Sequence, residues 1–141
     1  MTELKTAPFV WHLRVYFEDT DAGGVVYHSR YLNFFERART ELLRAMGVSQ
    51  TELKEKHGLI WVVLEINVKF RKAARLDDEL LVSAELQWVK GVRQGFRQEM
   101  TRKSDGKVVA TAELSAVMLH ADSLRPARVP AWIEERLINN E

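Results

Sequence analysis

The sequence predicts an α+β fold in which an antiparallel sheet wraps around one long helix. Two observations carry this prediction. One helical stripe of apolar residues runs over residues 29–46, and four later segments alternate apolar and polar positions with the period of a strand. A helix with one apolar face needs a cover, and so does a sheet with one apolar face. Wrapping the sheet around the helix satisfies both at once.

Taken in order, residues 9–17 read as a strand, with Phe9, Trp11, Leu13 and Val15 on one side. The stretch Glu18-Asp19-Thr20-Asp21-Ala22-Gly23-Gly24 then has turn chemistry. In the long helix, Tyr31, Phe34, Phe35, Ala38, Leu42, Ala45 and Met46 fall within one arc of about 120°. Gly47 is placed to end it. A shorter helix is expected over residues 49–57, capped by Ser49 with Glu52 as its capping-box partner and ended by Gly58.

The remainder is mostly strand. Val62, Leu64, Ile66, Val68 and Phe70 share one face of the first segment, and Leu80, Val82, Ala84, Leu86 and Trp88 one face of the second. A more polar strand covers residues 92–102, and Asp105-Gly106 suits a hairpin turn of type I′. The return strand, residues 108–119, turns Ala110, Ala112, Leu114, Ala116 and Met118 one way. Residues 131–137 form a short helix that begins after Pro130.

With 141 residues and no Pro- or Ser-rich linker, the chain reads as one domain, residues 1–141. Twenty-one Lys and Arg against 20 Asp and Glu leave no field to recruit nucleic acid or a membrane surface. The absence of cysteine removes thiolate chemistry and suits a reducing compartment. No apolar leader precedes Val10, and the apolar run 59–64 is far short of the roughly 18 residues of a membrane span. A cytoplasmic location without membrane insertion is expected.

The densest group of functional residue types is YFEDTDAGGVVYHSRY, residues 16–31, between a strand and the long helix. N–H groups at a helix start lack internal partners, and the aligned peptide dipoles favour negative charge there. Such a place can hold the oxyanion formed when a carbonyl is attacked. Gly23 and Gly24 allow close backbone approach to a ligand. Asp and Gly ahead of a helix also serve as plain capping and turn residues, and Glu18 and Asp19 read as solvated or capping groups. The remaining histidines lack zinc spacing, and neither a nucleophile elbow nor a P-loop is present. Lys69, Arg71, Lys72 and Arg75, or Arg125 with Arg128, could hold phosphates, although solvated surfaces often carry such runs.

Residues 16–28, with Tyr31 and Phe34-Phe35-Glu36-Arg37-Ala38-Arg39 after them, resemble the 4-hydroxybenzoyl-CoA thioesterase family. Within it they look most like YbgC-type acyl-CoA thioesterases associated with the Tol–Pal system. The resemblance spans residues 9–137 and implies the hotdog fold, a curved antiparallel sheet around a central helix. It implies a homodimer or homotetramer with sites at the subunit interface, and an acyl-CoA or acyl carrier protein thioester as substrate. Asp21 matches the catalytic aspartate and His28 the histidine that closes the motif, with the backbone N–H at that position polarising the carbonyl. Gly23, Gly24, Val25, Tyr27 and Tyr31 are then the substrate contacts, with Arg125 and Arg128 as candidates for the phosphates. Coenzyme A enters as part of the substrate, and neither a cofactor nor a metal is required.

Two routes stay open: Asp21 attacks the carbonyl, or it activates water. With reference pKa values near ~3.9 for Asp and ~6.5 for His, an unperturbed His28 is the better matched base. The alternative outside catalysis is an acyl-thioester-binding or scaffold protein linked to the Tol–Pal system or lipid synthesis. A hotdog hydratase is a further alternative, but the Asp-x-Asp-x-x-Gly stretch fits hydrolysis better.

Overall fold

A computed structural model describes residues 2–3 and 8–139. Its elements are β1 (Thr2–Glu3), β2 (Phe9–Arg14), α1 (His28–Ala45), α2 (Gln50–His57), β3 (Leu59–Phe70), β4 (Glu79–Lys90), β5 (Arg93–Arg102), β6 (Val108–His120) and α3 (Ala131–Ile138). All strand pairs are antiparallel. The path is β1-β4-β5-β6-β3, and β2 shares with β1 the edge of β4 that faces away from β5. The other edge, β3, pairs only with β6 among the described residues.

The α1 stripe is buried as its spacing requires: Phe34, Phe35 and Ala38 are fully enclosed, with Tyr31, Leu42 and Leu43 beside them. Each large side chain there contributes on the order of 1.5–3 kcal/mol of transfer free energy. They meet the inward residues of the sheet, among them Leu80, Val82, Met100, Ala110 and Ala112. The small alanines of β6 leave room for the helix. Met46, at the helix C-cap, packs against the core at the end of the stripe, and of the expected residues only Ala45 is exposed. Ser49 caps α2 by accepting the N–H of Glu52, and Gly58 ends it with φ of 63°.

Two strands depart from simple alternation. In β3 the pairing steps from Val63 opposite Ala116 to Glu65 opposite Ser115, leaving Leu64 as an extra residue. A bulge of this kind flips every later side chain to the other face. Leu59 and Trp61 therefore pack inward before it, and Ile66 and Val68 after it, while Val62 and Leu64 are exposed. In β4 a second shift sits between Leu86 and Trp88, so Val89 joins the core. Trp88 lies instead over Gly95, where an added Cβ would come within 2.0 Å of its indole nitrogen.

The β5–β6 hairpin also differs from the expected type I′ turn. Gly106 has φ of 70°, but Asp105 is not in the positive region. Asp105 instead accepts the N–H of Lys107 at 3.0 Å and two nitrogens of Arg102 at 2.8–3.1 Å. Arg102 also donates to the carbonyl of Ala73 at 3.1 Å, tying the hairpin to the segment that follows β3.

Two predictions follow from these contacts. Hydrogen bonding from Arg102 holds the Asp105 carboxyl at about 2. Such a depressed group stabilises the fold above its unfolded value near ~3.9 and loses that contribution as pH falls towards the folded value. Arg102→Ala should raise the Asp105 titration towards the ordinary carboxylate range in NMR, with the Lys107 N–H still holding it somewhat low, and an unmoved titration would refute the pairing. Gly95→Ala should destabilise the fold by about 1–3 kcal/mol through overpacking. Adding Trp88→Ala should recover part of that loss in chemical denaturation; purely additive losses would show that the indole is not the obstacle.

Candidate active site

The segment from Tyr16 to Tyr27 is fastened at both ends to residues 74–78. Val15 exchanges backbone hydrogen bonds with Asp77 and Asp78 at 2.9–3.0 Å, and Val26 N–H donates to the carbonyl of Ala74 at 2.8 Å. Val15 and Val26 are buried, so each bond is backed by an apolar anchor. Tyr31 supports the same strip from α1: its buried hydroxyl accepts the Ala74 N–H at 3.1 Å. Its ring meets Phe70 edge-on at 5.1 Å.

Asp19 organises the inside of the loop and is not a solvated group. It is 4% exposed, and its carboxylate accepts the Tyr16 N–H at 2.9 Å. Its carbonyl accepts the N–H of Tyr27 at 2.9 Å. Arg30 reaches back from the first turn of α1, with Nε 3.9 Å from the Asp19 carboxylate and Nη2 donating to the Glu18 carbonyl at 3.4 Å. Asp19 and Arg30 thus join loop and helix. Their signal in the sequence is an acid three residues after Tyr16, the capping-box position of the short 3-10 turn Phe17–Asp19.

Asp21 is exposed at the tip. Its Oδ1 accepts the N–H of Gly23 at 2.8 Å, and its carbonyl accepts that of Gly24 at 3.0 Å. Gly24 adopts φ of 78°, the left-handed region where glycine is favoured. A Cβ on Gly23 would stand 3.2 Å from the Asp21 carboxylate oxygen. The two glycines therefore set the direction of that carboxylate.

α1 begins at His28, after Tyr27 in an extended conformation. No side chain caps this start, and no acidic residue occupies the first turn. Among the described residues the His28 and Ser29 N–H groups find no acceptor. The positive end of the helix dipole is thus unneutralised by its own chain and lies seven residues along the chain from Asp21. The His28 imidazole is exposed, with its ring centroid 4.4 Å from that of Tyr27.

Of the sequence candidates, Asp21, Gly23, Gly24, Val25, Tyr27 and His28 come together around this opening, with Tyr31 behind it. Arg125 and Arg128 do not join them within one chain. The Arg125 carbonyl accepts the N–H of His120, which pairs with Leu59 at the start of β3, whereas Tyr31 meets Phe70 at its end. At about 3.4 Å per residue the two ends are separated by the length of β3, at most roughly 37 Å. The other basic set is nearer, for Arg75 bridges Val25 directly. Among the described residues no cluster of His, Asp and Glu is arranged to hold a metal ion.

The family model of the thioesterase-like superfamily matches residues 15–137. The acyl-CoA thioesterase YbgC of Haemophilus influenzae is 44% identical over 126 residues, covering 89% of this chain and 91% of that protein. A probable thioesterase from Bartonella henselae superposes with a TM-score of 0.82 at 32% identity, covering 88% of this chain and all of the other. Slr0204, a 1,4-dihydroxy-2-naphthoyl-CoA thioesterase from Synechocystis, reaches a TM-score of 0.88 at 20% identity over 95% and 98% of the two chains, a likeness of fold. The loop and uncapped helix described above lie inside the matched region, and the chain belongs to the thioesterase-like superfamily of thioester hydrolases, with the hotdog fold.

Proposed function

We propose that this protein hydrolyses acyl-CoA thioesters, with Asp21 acting on the thioester carbonyl opposite the N-terminus of α1. The observation that carries the reading is the uncapped helix start, with free N–H groups at His28 and Ser29, in the loop that presents an exposed, glycine-directed carboxylate. The YbgC relative supports acyl-CoA as the substrate class. A carbonyl oxygen seated on the His28 N–H gains a hydrogen bond that strengthens as negative charge develops. One positioned donor of this sort lowers a barrier by about 2.7–4 kcal/mol.

Asp21 then has two ways to act. As nucleophile it adds to the carbonyl carbon, the CoA thiolate leaves and takes up a proton, and water cleaves the mixed anhydride. As general base it takes a proton from water that adds to the same carbon. Its exposed position leaves room for water on both routes. His28, at the same opening, is placed to exchange protons with the leaving thiol or the attacking water. The reaction draws on no cofactor or metal, and CoA arrives with the substrate. Arg75, next to Val25, offers a cation for the CoA phosphates, and Arg125 and Arg128 would serve a site on a neighbouring subunit.

The quaternary proposal rests on β3. This 12-residue edge strand leaves one side unpaired among the described residues and exposes Val62, Val63 and Leu64 at 36%, 40% and 50%. Long apolar edges of this kind invite pairing with another chain. A second copy joined edge to edge would continue the sheet and bring the site of one subunit against the other. A cytoplasmic protein acting on soluble thioesters, apart from or alongside the Tol–Pal system, fits the charge balance. Among the described residues no helix is long and apolar enough to cross a membrane.

Thiol release from a panel of acyl-CoAs tests the assignment. Asp21→Asn should lower kcat by at least about 10²–10⁴-fold at unchanged thermal stability. Equal turnover by the variant would remove Asp21 from the chemistry, and binding without turnover by the parent protein would favour a carrier or scaffold. Single turnover in heavy-oxygen water then tests the nucleophilic route: label in Asp21 means an anhydride cleaved at the Asp21 carboxyl carbon, whereas label only in the released acid means that water attacked the acyl carbon, directly or in the anhydride. Leu64→Lys should shift the protein towards monomer in sedimentation; an unaltered oligomer would place the interface elsewhere.

A further inference from the structure

The loop that carries Asp21 is a narrow antiparallel ribbon over residues 19–27. Tyr27 N–H donates to the Asp19 carbonyl at 2.9 Å, Thr20 pairs with Val26, and Asp21 N–H donates to the Val25 carbonyl at 2.9 Å. One arm, through Val26 and Tyr27, runs straight into the first residue of α1. The other arm, entered through Glu18 and Asp19, carries the carboxylate. Backbone bonds of Val15 and Val26 hold the two arms to the strip 74–78, and the Tyr31 hydroxyl ties that strip to α1 at Ala74, where Val26 is bound. The carboxylate arm is joined to the helix differently. Among the described residues, Arg30 is the one side chain of α1 that makes a hydrogen bond or ion pair with residues 16–21.

Arg30 holds that arm at two points. Its Nη2 donates to the Glu18 carbonyl at 3.4 Å, and its Nε stands 3.9 Å from Oδ1 of Asp19. Asp19 is buried, and its other oxygen accepts the Tyr16 N–H at 2.9 Å. The helix dipole disfavours a cation in the first turn, and no acidic residue of that turn offsets Arg30. Its partners therefore lie in the ribbon and not in its own helix. The Arg30 side chain is 36% exposed, and ion pairs open to water contribute little to stability. Reaction rates respond to much smaller effects of geometry, since a displacement of about 1 Å at a reacting group can cost about 10²-fold.

We propose that Arg30 is a positioning residue for thioester hydrolysis: by gripping Glu18 and Asp19 it fixes the carboxylate arm against α1, and so sets the separation between Asp21 and the His28 N–H. Without that grip the arm is tied only to the strip 74–78, and its register with the helix start depends on Tyr31 alone. Arg30 acts through Asp21 and stays outside the reaction itself. The inference rests on the hydrolytic reading of Asp21 given above.

Steady-state turnover of an acyl-CoA by the parent protein and its variants tests it. Arg30→Ala should lower kcat by about 10–10²-fold, with KM and the thermal midpoint little changed. Arg30→Lys keeps the charge but loses the planar fork, so it should recover part of that loss. Asp19→Asn added to Arg30→Ala should cost less than the product of the two single losses, because both act on one contact. Unchanged kcat in Arg30→Ala, while Asp21→Asn loses activity, would overturn the proposal and leave the hydrolytic assignment standing. A raised KM at constant kcat would overturn it too, by placing Arg30 on the substrate. Should Arg30→Ala fail to fold, Arg30→Met keeps the stem, removes the donors and carries the same test. If Asp21→Asn turns over like the parent, or the parent does not turn over, the hydrolytic reading fails and amide exchange decides on the grip. The Tyr16 N–H should then exchange at least about tenfold faster in Arg30→Ala, and unchanged protection would overturn the proposal.

Discussion

Burial of the α1 stripe against the sheet determines where the helix begins, and the proposed chemistry depends on that beginning. Phe34, Phe35 and Ala38 admit no solvent and no slack. Rotating the helix would expose aromatic rings, and sliding it would leave voids that cost on the order of 3–5 kcal/mol for each lost ring. With the barrel of the helix locked, its first N–H groups occupy a fixed point near the end of β3. The loop is then brought to that point through Val15 and Val26, which share residues 74–78 as their anchor. Tyr31 and Arg102 fasten the same strip from α1 and from the hairpin, through Ala74 and Ala73.

Helix starts usually carry a Ser, Thr, Asp or Asn cap, and the lack of one typically costs about 1 kcal/mol. Here Tyr27 occupies the position and offers no cap, although acids stand close by in sequence. Asp19 is spent on the Tyr16 N–H and on Arg30, and Asp21 is turned onto Gly23. Each nearby carboxylate has a partner other than the helix start. The orphan donors thus stay available for a ligand, and the stability forgone at the cap is recovered from the stripe and the loop anchors. A helix with only a structural role gains by closing that opening; one that seats an oxyanion, as proposed above, gains by keeping it open.

Much of this could be read in the sequence because it follows from periodicity and turn chemistry. The apolar stripe of α1, the Ser49 cap, the Gly58 stop and the inward run of β6 all appear where their spacing puts them. The cluster at residues 16–31 was legible as a strand-to-helix turn rich in acids and glycine. What escaped was set by tertiary structure. A single extra residue at Leu64 reverses the alternation of β3, and nothing local distinguishes it from its apolar neighbours. The step at Trp88 depends on Gly95 in the next strand, so the determinant is absent from the segment itself. For Asp19, read as a solvated or capping group, the structure shows the cap; its burial was not legible because it depends on Arg30, eleven residues onward, and on the fold of the whole turn.

The inner face of β5, expected only as a more polar strand, carries two amides among its core positions. Gln94 and Gln98 stand at the alternation that places Phe96 and Met100 in the core, positions where a sheet built only for stability would carry hydrocarbon. Both amides are fully buried and fully used. Gln94 donates to the Val92 carbonyl and accepts the Trp61 indole N–H at 3.0 Å, and Gln98 joins two backbone carbonyls to Arg39. Satisfied networks of this kind add rigidity and specify side-chain position, because any alternative packing leaves a buried polar group unpaired. The two side chains they fix, Trp61 and Arg39, lie on the wall of the same cavity. Desolvating those amides is reasonable if what must be specified is the shape and charge of that space, since apolar residues could fill the core but could not hold a cation in it.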